Sequence, residues 1–143
     1  MRVALFCLLI ACTACHSAPE IRVQQLVTPD YPDNAHFLNI QGTVTVHIRI
    51  GPDGRVQTAS GEGAHPYLVK AAEDNVRKWV FGPFPPRGEY PIYHTIKYVY
   101  ILEGKSASVF YFPPAVRTYL PDRLEIQTMP FSDDLVVPAP KAR

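Results

Sequence analysis

A chain of 143 residues with 47% apolar side chains is long enough to bury a real core and is most economically one domain. Its 14 basic and 13 acidic side chains give a net charge of +1, and loss of Arg2 with an N-terminal leader leaves the two signs equal. That balance disfavours a nucleic-acid partner, which needs a basic excess, and the apolar content argues against disorder of the whole.

The first 15 residues, MRVALFCLLIACTAC, carry one charge, an apolar run at residues 3–11 and small side chains before a cysteine. The run falls short of the roughly 20 residues a bilayer span needs, so it reads as an export signal rather than a retained anchor. Cys7, Cys12 and Cys15 all lie there, which leaves the folded part without a disulfide. A signal that ends on a cysteine resembles the lipobox of bacterial lipoproteins, in which the thiol is acylated and becomes the new N-terminus. Cys15, preceded by residues 12–14, gives the more usual signal length; Cys12, preceded by residues 9–11, is the alternative. Ordinary cleavage after Ala14 or Ala18 gives a soluble periplasmic product instead.

After a short tether at residues 16–27, the folded domain is expected at residues 28–104. Pro32 suits the first position of a short helix that runs to Phe37 or Leu38 and that Gly42 cannot continue. Residues 43–50 then alternate, with Val44, Val46, Ile48 and Ile50 on one face and Thr43, Thr45, His47 and Arg49 on the other, as in a half-buried strand. Gly51-Pro52-Asp53-Gly54 is a turn, and residues 55–60 return antiparallel. A second helix opens at Pro66, with Leu68, Ala72, Val76 and Trp79 as its apolar stripe. Pairs Glu73/Arg77 and Asp74/Lys78 decorate its solvated face. Gly82 and Pro83 stop the helix and leave Trp79 and Phe81 as packing anchors. The strand IYHTIKYVYIL, residues 92–102, closes the series. This order predicts an α+β layer, helices on one face of an antiparallel sheet.

YPDNA at residues 31–35, Gly42 with Val44 and Val46, PDGRV at residues 52–56, and the Ala71-Ala72 helix ending in WVFGP at residues 79–83 resemble, in order and spacing, the C-terminal domain of the TonB family. The resemblance implies two helices on one face of a three-stranded antiparallel sheet, with Tyr31, Pro32, Gly42, Gly54, Trp79, Phe81 and Pro83 as structural anchors. It also implies a periplasmic, non-enzymatic module without a cofactor. Such a domain docks an extended segment of an outer-membrane TonB-dependent transporter by adding it as a strand to the sheet edge. The matching edge strand here presents Tyr93, Thr95, Lys97, Val99 and Ile101. Exposed edges accept peptides in this way, and they also permit a homodimer.

The chain departs from full energy transducers, which carry a transmembrane helix with an S-x-x-x-H pattern and a long Pro-rich span. Its first strand is expected about 25 residues beyond the lipobox, too short a tether to cross between membranes at about 3.3–3.6 Å per residue. A separate energising complex is therefore implied, or a lipoprotein that serves as an envelope scaffold or assembly partner without energy transduction. Residues 105–143 form a Pro-rich extension in which SASVFYF (106–112) and RLEIQT (123–128) have strand composition and could add strands to the sheet, while the final VVPAPKAR reads as disordered. If residues 106–112 pair with the last strand, they block or regulate the docking edge.

Chemistry finds little support in the sequence. His36, His47, His65 and His94 lack the short spacing of a metal motif, although His47 and His94 lie on strands that could be neighbours. There is no G-x-S-x-G, and Gly61 and Gly63 lack the lysine and hydroxyl of a phosphate loop.

Overall fold

The computed structural model describes residues 20–105 and 113–132. Strand β1 (Val23–Gln25) is followed by helix α1 (Asp33–Phe37), the hairpin β2 (Gly42–Ile50) and β3 (Val56–Gly63), and helix α2 (Pro66–Val76). Next come β4 (Val80–Phe81), the long β5 (Ile92–Leu102), β6 (Ala115–Tyr119) and β7 (Arg123–Thr128). The main sheet has the order β3-β2-β5-β7-β6, and β1 pairs with β4 in a small second sheet.

The expected three-stranded antiparallel sheet forms the β3-β2-β5 part of a mixed sheet of five strands, to which the C-terminal extension adds the two further strands that were left open. The central three are antiparallel as anticipated, but β7 pairs with β5 in parallel, Lys97 opposite Arg123 through Leu102 opposite Thr128, and β6 folds back antiparallel on β7. The cause lies in RLEIQT: its alternation puts Leu124 and Ile126 on the core face, where both are fully buried. The other segment with strand composition, residues 106–112, lies outside the described residues, as do the leader, both candidate lipidation sites and the final VVPAPKAR.

The hairpin turn forms as its residues dictate. Gly54 N–H donates to Gly51 O at 3.0 Å, and the Asp53 carboxylate accepts from Arg55 N–H at 3.1 Å. Gly54 has φ +76°, and a Cβ there would sit 2.0 Å from the carbonyl oxygen of Phe81, whose own N–H donates to Gly54 O. Helix α1 starts after Pro32, and α2 is capped by His65 Nδ1, which accepts from Tyr67 N–H at 3.3 Å. Helix α2 stops at Val76, earlier than the apolar stripe suggested, so Trp79 enters the core from the turn that leads into β4. Lys78 lies beyond the helix, and Asp74 pairs with Lys70 at 2.8 Å and Arg77 at 3.1 Å instead of with Lys78.

Both helices pack on one face of the sheet, against Val44, Val46, Ile48 and Ile50 of β2, Ile96, Tyr98 and Tyr100 of β5, and Leu124 and Ile126 of β7. Asn75 is the polar hub of this core. Its Oδ1 accepts from Tyr98 OH and Trp79 Nε1, each at 3.0 Å, and its Nδ2 donates to Val27 O at 2.9 Å. Tyr31 OH donates to Ile40 O at 2.7 Å, whereas the Tyr100 hydroxyl is buried with no partner among the described residues. Burial pushes the hydroxyls of Tyr31, Tyr98 and Tyr100 well above the ordinary tyrosine range, so all three stay neutral.

These contacts rank three substitutions. Asn75→Ala orphans several buried partners and is expected to cost at least about 2 kcal/mol, and Tyr98→Phe about 1 kcal/mol. Tyr100→Phe removes a group that is already unsatisfied and should leave stability unchanged or raise it; urea unfolding of the three variants checks the order.

Candidate interaction edge

Strand β5 is the element on which the resemblance placed partner docking, and its two sides have different surroundings. Even-numbered residues bond toward β2. Odd-numbered residues point the other way: Lys97 N–H donates to Asp122 O at 2.8 Å and Glu103 N–H to Thr128 O at 2.9 Å. Backbone groups of Lys97, Val99 and Ile101 therefore face β7, and over residues 97–102 β5 is an interior strand. Tyr93 and Thr95 share that outward parity, but β7 starts too late to reach them. Among the described residues no strand covers residues 92–96 on that side.

The edge that residues 106–112 would block if they paired with the last strand is occupied over residues 97–102 by residues 123–128. The signal was present in the L-x-I-x-T alternation after Pro121-Asp122, but it did not say which of two strand-like segments takes the edge. Strand β6, interrupted by Arg117 and preceded by two prolines, carried no comparable pattern.

The β6–β7 hairpin is held at both ends. At its turn, His94 Nε2 lies 3.3 Å from both Pro121 O and the Asp122 carboxylate. Beyond β7, Asn39 and Phe131 exchange two hydrogen bonds: Asn39 Nδ2 donates to Phe131 O at 2.9 Å, and Phe131 N–H donates to Asn39 Oδ1 at 2.8 Å. His36 Nε2 donates to Met129 O at 2.7 Å, and the rings of Phe37 and Phe131 meet at 4.9 Å. Asn39 sits at φ +50°, a conformation that asparagine tolerates and that aims its amide along the tail.

On the opposite edge, β3, two outward groups are capped by side chains at the end of α2. Glu73 Oε1 accepts from Gly61 N–H at 2.7 Å, and Arg77 donates to Ala59 O at 3.0 Å while pairing with Glu73 at 3.2 Å. Glu73 and Arg77, expected only to decorate a solvated face, instead cap outward groups of β3. Gly61 has a packing reason as well, since a Cβ there would lie 3.0 Å from Val69 of the approaching helix. His47 and His94 do lie on neighbouring strands, but on opposite faces: His47 sits opposite Thr95 and hydrogen-bonds its hydroxyl at 3.0 Å, whereas His94 sits opposite the buried Ile48.

Glu73→Ala should leave the fold intact and speed amide exchange at Gly61 at least about tenfold, measured by NMR, because the N–H loses its acceptor to solvent.

The comparison with curated proteins finds no match. A family model described as the Gram-negative bacterial TonB protein C-terminal matches residues 27–102, from the loop before α1 to the last residue of β5, and stops before the β6–β7 hairpin. The chain belongs to the TonB C-terminal family.

Proposed function

We propose that this TonB-like, transport-related module docks an extended segment of an outer-membrane transporter by strand addition along β5, in competition with its own β7. One observation carries the reading: the strand that ends the family match already accepts a parallel strand, and that strand comes from the part of the chain outside the match. Tyr93, Thr95, Lys97, Val99 and Ile101 then form the docking edge, the last three after β7 has yielded. The chain acts in the periplasm, held by a lipid on Cys15 or Cys12, and relies on a separate energising complex.

A second reading, an envelope scaffold without a transporter partner, is favoured by the burial of Leu124 and Ile126. Releasing β7 exposes both, at about 1.5–3 kcal/mol each, which argues for a lasting seal.

NMR titration of residues 20–143 with synthetic peptides from the N-termini of transporters of the same genome separates the two. The transport reading predicts shifts along β5, with binding at least about tenfold tighter in Leu124→Ala, where the cavity weakens the hold of β7. Absence of binding to both proteins gives precedence to the scaffold.

A further inference from the structure

β5 runs for 11 residues, yet β7 covers only its C-terminal part, from Lys97 onward. The uncovered stretch, residues 92–96, is the direct continuation of the β5–β7 interface. Tyr93 and Thr95 aim their N–H and C=O groups along the line that Lys97, Val99 and Ile101 use to bind β7. Among the described residues nothing bonds those groups. Tyr93 is also 72% exposed, with the Arg49 guanidinium 5.9 Å above its ring.

On the core side the stretch is rigid. Ile92 packs against the core, Ile96 is buried within it, and β2 pairs with every residue from Ile92 to Ile96. A row of fixed, outward backbone donors and acceptors at 93 and 95 is complementary to an extended main chain. The row ends at the β6–β7 turn, where His94 holds Pro121 and Asp122. A peptide seated on residues 92–96 therefore lies end to end with β7, beside the contact that fixes the start of that strand.

We propose that residues 92–96 are the toehold of this module: a transporter's extended segment first bonds the backbone of Tyr93 and Thr95, with β7 still in place. Only then does it compete for residues 97–102. The inference rests on strand addition at β5 and specifies where it begins. It removes the need to expose Leu124 and Ile126 before any contact with the partner is made.

The toehold depends on an N–H at position 95 that takes no part in the pairing with β2. Thr95→Pro deletes that donor, and proline is tolerated in a strand where its N–H side faces solvent. In the mature full-length chain, the variant is expected to keep slow exchange at Lys97 and Val99 and to lose at least tenfold in affinity for the same synthetic transporter peptides. Titration of the wild-type chain gives a reading independent of the variant's folding. Tyr93 and Thr95 amides should shift at the lowest peptide concentrations, before any loss of protection at residues 97–102.

Three results would overturn the proposal. Equal affinity of a folded Thr95→Pro variant, or first shifts on β7 rather than at Tyr93 and Thr95, removes the toehold and leaves strand addition standing. Absence of binding by the wild-type chain removes the toehold, and absence of binding by Leu124→Ala as well removes strand addition with it.

Discussion

The three antiparallel strands β3-β2-β5 end in two rows of N–H and C=O groups, one on β3 and one on β5, and the way each row is met organises this molecule. On the β3 side, a helix supplies the partners: Glu73 takes the Gly61 N–H and Arg77 reaches the Ala59 carbonyl. On the β5 side, the chain supplies a strand of its own, but one too short to cover the whole row. The two solutions differ in kind. A side-chain cap blocks an edge without resembling a ligand, whereas a parallel strand occupies the place that an incoming peptide needs.

That difference ties the tail to the domain. Leu124 and Ile126 enter the same core as Val46, Ile96 and Tyr98, so β7 contributes to stability as well as to closure. The reciprocal bonds between Asn39 and Phe131, with His36 on Met129 O, anchor the far end of the segment to α1. Occupancy of the β5 edge is therefore linked through β7 to α1 and the loop that follows it. Competition at the edge is a population shift in which a partner must bind the open form more tightly than β7 does.

Much of the domain was legible in the sequence because period and punctuation agreed. The alternation of residues 43–50, the turn at Gly51-Pro52-Asp53-Gly54 and the start of α2 at Pro66 each rest on local rules, and the strand at residues 92–102 was delimited correctly. Helix α2 ran past its true end because Trp79 falls at helical spacing, although it packs from a turn. The fate of the edge was not legible. RLEIQT and SASVFYF both read as strands, and local pattern does not specify which strand pairs with β5 or in what direction. The capping by Glu73 and Arg77 was hidden for a related reason: at four-residue spacing they satisfy the rule for a surface pair, and only the approach of α2 to Gly61 turns them toward β3.

Occupation of the β5 edge by β7 is the claim from which the rest follows, and amide hydrogen exchange along β5 in the free chain tests it most directly. With β7 in place, the amides of Lys97, Val99 and Ile101 exchange as slowly as those of Ile96 and Tyr98, which bond to β2, while Tyr93 and Thr95 exchange fast. If Lys97, Val99 and Ile101 instead exchange as fast as Tyr93, the edge is free in solution and the account is contradicted.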